Sequence, residues 1–228
     1  MRAITLTVSL ILFAATPASA HFVFIIPDAA GQKATVVFSD KLERDSAVDI
    51  GLISGTKLSV RQRDAKEQPV AWTKGEHAYT FDIPGTGARQ IAGTTEYGVM
   101  QRGGGKPFLL VYHPKAIVGD FSKSESLGDA VPVEILPVRG SGGIRFRVLA
   151  QGKPRPNAEV TVIEPGTSES KKVKTDAEGL TPEFQSSGQY GAWALHSEPK
   201  SGEFKGKKFD ETRRYASLVV TVSPPPAR

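Results

Sequence analysis

Helical periodicity is nearly absent from this chain, and that absence constrains the fold more than any other feature. Between positions 21 and 222, short apolar or alternating runs recur instead, cut by clusters of Gly, Pro, Asp and Asn. Alternation with period two marks strands that bury one face, and regular turn signals between them mark sandwiches or barrels. His21–Ile26 is a continuous apolar run, followed by strand-like runs at Ala34–Phe38, Ala47–Ile53 and Leu58–Arg61. Tyr79, Phe81 and Ile83 alternate with polar neighbours, and Phe108–Tyr112 reads as a buried strand ended by His113-Pro114. Further strands are expected at Pro132–Val138, Ile144–Val148, from Val160, at Tyr190–Leu195 and at Tyr215–Val222. The expectation is an all-β protein built of two β-sandwich domains of immunoglobulin or prealbumin type.

With 228 residues the chain exceeds the usual single-domain size of about 100–150, which favours two small units. Arg139-Gly140-Ser141-Gly142-Gly143 is the best linker, so the expected division is 21–138, a linker at 139–143, and 144–222. A Pro-rich tail occupies 223–228. At the start, a basic tip, a short apolar middle and Ala18-Ser19-Ala20 read as a secretory leader ending at residue 20. The apolar part is shorter than the roughly 20 residues that span a bilayer. A periplasmic or secreted location follows as an expectation, with no stable transmembrane segment. The chain has no cysteine, so packing rather than disulfides must hold it together, and any metal site must use His, carboxylate or backbone ligands.

The net charge of +5 and pI near 9.4 do not point to nucleic acid, because the basic residues are scattered and acids flank most pairs. No G-x-S-x-G, H-E-x-x-H or phosphate-cradling glycine loop is present. The chain therefore reads as a binding protein rather than an enzyme. His21 is its most informative residue. Cleavage after Ala20 would leave an α-amine and an imidazole on one residue, close enough to chelate. Such nitrogen donors suit Ni, Cu, Zn or Co. The plainer reading is that His21 merely caps the first strand. His196 and Glu198 follow the Tyr190–Leu195 run, with His196 alternating to the face opposite Trp193, and His113 ends another run. His77 shares a face with Tyr79 and reads as packing, while Glu43, Asp45, Asp210 and Glu211 read as solvated charge.

Residues 143–195 resemble the small prealbumin-like or carboxypeptidase-regulatory-like sandwich. The resemblance rests on Gly152-Lys153-Pro154, Ala158-Glu159-Val160, the Thr175-Asp176-x-x-Gly179 turn and Gly188-x-Tyr190 leading to Trp193. The whole mature chain is similar to a NikM-like domain family of unknown function, made of two-domain periplasmic proteins associated with nickel and cobalt uptake. The matching residues are His21 with the run to Pro27, Lys106-Pro107-Phe108-Leu109, Val133-Glu134-Ile135-Leu136-Pro137 and the stretch His196–Tyr215. Together these point to a metal-binding or metal-delivery accessory protein for a Ni, Co or Cu ion. Its ligand set centres on His21, with His196, Glu198 or His113 completing it. The partner would be a membrane metal transporter or another envelope protein. The rival expectation is an envelope interaction module without metal.

Overall fold

The computed structural model describes residues 21–62, 66–128, 131–167 and 169–223, so the expected leader and all but the first residue of the tail lie outside the described residues. The first half contributes β1 (Phe22–Pro27), β2 (Lys33–Ser39), β3 (Lys57–Gln62), β4 (Gln68–Pro69), β5 (Thr73–Lys74), β6 (Tyr79–Asp82), β7 (Arg89–Met100) and β8 (Phe108–Val118). The second contributes β9 (Val133–Arg139), β10 (Ile144–Ala150), β11 (Lys153–Pro154), β12 (Glu159–Ile163), β13 (Ser170–Lys174), β14 (Gly188–Glu198), β15 (Gly202–Phe204), β16 (Lys207–Phe209) and β17 (Glu211–Val222). Short 3-10 turns form at Ile50–Ile53 and Phe121–Lys123. The protein is all-β, as the periodicity predicts.

One long sheet organises the molecule, in the order β13-β12-β14-β17-β8-β7-β3-β4. Its centre is the parallel pair β17 and β8, aligned with Tyr215 opposite Tyr112 and Ala216 opposite His113. The neighbouring ladders are antiparallel. Alternation sends successive side chains of these strands to opposite faces, and each face has its own cover. The sheet β1-β2-β6-β5 covers one face, where Phe24, Ile25 and Val36 bury against Ile91, Tyr112 and Val219. The sheet β11-β10-β9 covers the other, where Ile135, Phe146 and Val148 bury against Val162, Tyr190 and Leu218. Two sandwiches therefore share one sheet and use opposite faces of it.

This sharing changes the expected domain division. Arg139–Gly143 does not link two separate units: it is the turn of the β9–β10 hairpin, with Ile144 opposite Arg139 and Gly140 N–H donating to Gly143 O at 2.9 Å. Glu183 holds that turn by accepting from Gly142 N–H at 2.6 Å and from Ser141. β9, expected in the first unit, belongs to the second core. A buried ion pair fastens β8 to β9, with Lys115 Nζ 3.0 Å from Glu134 Oε2 and both side chains almost wholly enclosed. The second Glu134 oxygen accepts from the Ser126 hydroxyl and the Leu127 N–H, so the carboxylate is fully engaged. Burial pulls the Lys115 ammonium below its ordinary value, and Glu134 opposes that shift.

Three local expectations also change. Ala47–Ile53 is not a strand, because Asp49 accepts from Gly51 N–H at 2.8 Å and winds the segment into the 3-10 turn that buries Ile50 and Ile53. β8 continues through His113-Pro114 to Val118. A proline interrupts a ladder by lacking an N–H, and the β7 register accordingly skips from Lys115 to Tyr112. β7 itself was hidden because Gly93, Thr94, Thr95 and Glu96 break its apolar alternation.

Candidate functional site

β1 fixes the position of His21. Phe22, the next residue, sets its ring 4.4 Å from Trp193 and 5.1 Å from Tyr215. The Tyr112 hydroxyl donates to the His21 carbonyl at 3.1 Å, and the imidazole lies 5.5 Å from the Phe38 ring. The imidazole Nε2 is 2.8 Å from Asp45 Oδ2. Asp45 is itself held in place, since its other oxygen accepts from Ala47 N–H at 2.8 Å. That backbone bond, then the His21 bond, hold the Asp45 carboxyl below the usual carboxylate range. An ionised Asp45 accepts the Nε2 proton, so the neutral ring carries its lone pair on Nδ1, the nitrogen nearer the backbone. A hydrogen bond to one imidazole nitrogen decides which nitrogen can take a metal. In a chain beginning at His21, the α-amine and Nδ1 would close a six-membered chelate ring. Amine and oriented imidazole fit a borderline or soft divalent ion.

The remaining expected ligands lie on the other face of the long sheet. Tyr112, Trp193 and Tyr215 belong to the His21 face, whereas Ala194 and Ala216, two residues from His196 and Arg214, belong to the opposite core. His113 is on that opposite face as well, paired with Ala216. The sheet therefore separates His21 from His113, His196 and Glu198, and the expected four-residue set does not form. Among the described residues, no three His, Cys, Asp or Glu side chains converge as a metal cage.

His196 is committed to protein partners. Its Nδ1 lies 2.7 Å from Arg155 Nη1, and a guanidinium can only donate, so Nδ1 accepts. Its Nε2 faces Glu198 Oε1 at 3.4 Å, and Glu198 Oε2 accepts from Arg214 Nε at 3.3 Å. No imidazole lone pair is left over, and two guanidiniums repel a cation. Burial, then Arg155, push the His196 imidazole below its ordinary value. His113 is 6% exposed; its Nδ1 lies 3.3 Å from Thr94 Oγ1 and its Nε2 has no partner among the described residues. Burial, then Arg214, lower its pKa from 6.5 to about 4. His77 sits beside Glu76 at 3.4 Å, away from these groups in sequence and next to the buried Tyr79.

Asp45 is the partner of His21 that sequence reading passes over as solvated charge. It stands 24 positions from His21 in a hydrophilic stretch, and no short spacing announces the pair. A cleft of about 220 Å³ adjoins His21, lined in part by Phe38, Tyr97, Tyr112 and Tyr215. A larger groove of about 1030 Å³, lined by polar and apolar groups alike, runs past Arg89, Lys123, Arg139 and the β9–β10 turn.

No family model matches the chain. No curated protein sequence matches it either. Among solved structures it is similar to the D0-D1 domain of intimin, at 14% identity and a TM-score of 0.20, over 88% of this chain and 97% of that one. A superposition that loose supports neither a family nor a function. Among the described residues, no helix is long and apolar enough to cross a membrane.

Proposed function

We propose that this chain binds a transition-metal ion outside the cytoplasm through His21, as an accessory to metal uptake or delivery. The observation that carries the reading is the 2.8 Å bond from His21 Nε2 to Asp45, which leaves Nδ1 as the donor beside the backbone nitrogen. Residues 1–20 must be removed for that nitrogen to become an amine. Ni, Co and Cu are the ions these donors suit, and water or a partner protein's groups would complete the coordination sphere. A membrane transporter is the natural recipient. Asp45 acts as the orienting group, a role whose loss typically costs 10–100-fold in metal affinity.

Titration with Ni(II) and Cu(II) tests the reading on the exported chain, after its start at His21 is established by intact mass. His21→Ala should abolish the tight site, while His196→Ala and His113→Gln should leave it in place. Equal affinity in all four proteins would refute the assignment and favour the envelope interaction module.

A further inference from the structure

The cleft beside His21 has a chemistry of its own that metal ligation does not use. Four rings form a continuous cage: Phe38 to Tyr97 at 5.6 Å, Tyr97 to Tyr112 at 5.9 Å, and Tyr112 to Tyr215 at 6.0 Å between centroids. Tyr97 reaches this cage through a β-bulge. The β7–β8 register runs from Glu96 opposite Val111 to Gly98 opposite Leu110, which leaves Tyr97 as the extra residue. Gly98 takes the bend at φ +143°, a conformation open to glycine. Bulges re-aim a side chain at the cost of ladder pairing, and they concentrate near functional sites.

The charged side chains lining the cleft are Arg102 and Arg213, while the Asp45 carboxylate stands behind His21 and is bonded to its imidazole at 2.8 Å. Arg102 is exposed and has no ion-pair partner among the described residues. Arg213 lies 3.8 Å over the Phe108 ring, already partnered by Glu211 at 2.5 Å. The Tyr97 and Tyr215 hydroxyls make no hydrogen bond to a described residue, whereas that of Tyr112 is spent on the His21 carbonyl. Leu52, 50% exposed, supplies an apolar rim. At about 220 Å³ the cleft is smaller than the roughly 300 Å³ at which drug-sized pockets begin, so it suits a single ring.

We infer that this cleft binds a small planar aromatic anion, of the one-ring carboxylate class. The ring lies against the Tyr97, Tyr112 and Tyr215 cage, where aromatic faces and edges attract beyond simple burial. The carboxylate meets Arg102, the one cation of the cleft not already paired, with the free phenolic hydroxyls as further donors. Binding needs no metal, so this inference stands or falls apart from the metal reading.

Benzoate, titrated into the full chain in the presence of a metal chelator and followed by calorimetry or ligand-observed NMR, is the direct probe. Benzamide keeps the ring and loses the charge; cyclohexanecarboxylate keeps the charge and loses the ring. Each should bind roughly tenfold or more weakly than benzoate, in line with one lost charge-assisted or ring–ring contact. Arg102→Gln should erase the preference for benzoate over benzamide, and Tyr97→Leu the preference over cyclohexanecarboxylate. Arg102 is exposed, so its variant should fold normally, which its melting temperature checks. No benzoate binding by the folded chain, equal binding of all three probes, or unchanged preferences in the two variants would overturn the inference.

Discussion

Acid should destabilise this protein through His113, and the size of the effect follows from where that residue sits. Its imidazole is buried on the second-sandwich face, with Arg214 the main opposing charge, Glu198 acting the other way, and Thr94 as its only polar partner among the described residues. In the native chain its pKa is about 4, against 6.5 when unperturbed. As pH falls through 6.5 the unfolded chain takes up a proton that the native chain refuses until about 4, so stability falls with pH across that window. Below about 4 both states carry the proton and this contribution is flat. Between pH 7 and pH 5 the linkage costs roughly 2 kcal/mol. That corresponds to about 4–8 °C in melting temperature for a protein of this size. His196, also held low by burial and Arg155, adds in the same direction. His113→Gln removes one titrating group, so urea unfolding of the variant should show a pH 7 to pH 5 loss smaller by roughly 2 kcal/mol. Parallel losses in wild type and variant would show that His113 does not titrate with folding.

Other outcomes follow from the same geometry. Lys115→Met should cost roughly 3–5 kcal/mol by stranding the buried Glu134 carboxylate, read as a lowered urea midpoint. Phe146→Ala should cost about 3–5 kcal/mol by opening a cavity among Phe184, Tyr190 and Ile144. Because the two cores share one sheet, wild type and Phe146→Ala should each melt in a single transition by calorimetry; two resolved transitions would contradict the shared-sheet architecture. Asp45→Asn should leave stability nearly unchanged, since the pair is partly exposed, yet weaken Ni(II) or Cu(II) binding about 10–100-fold by titration.

Strand content was legible because period-two alternation is a local property. Lys33–Ser39, Ile144–Ala150 and Glu211–Val222 lie where alternating or continuous apolar residues place them. Pairing was not legible, since nothing local tells Tyr215 that it will lie beside Tyr112 in a parallel ladder. The glycines at 140, 142 and 143 announce a turn equally well whether it joins two strands or two domains. At the site, His21 stood out through its place after Ala20, whereas its partners Asp45 and Tyr112 are 24 and 91 positions distant. His196 and Glu198 looked like ligands because they are neighbours. Arg155, which occupies the His196 lone pair, comes from 41 positions away and reverses that reading.

Removing only the His21 amine distinguishes a chelate of amine and imidazole from binding by the imidazole alone. In protein shown by intact mass to begin at His21, transamination of the N-terminus by pyridoxal phosphate converts the α-amine to a ketone and leaves every side chain intact. Cu(II) affinity, measured by competition with a chelator of known strength, should then fall by about 100-fold or more, because a chelate becomes a single imidazole bond. Proton release on binding should shrink as well, since the amine no longer has a proton to lose. Unchanged affinity after complete transamination would contradict the account.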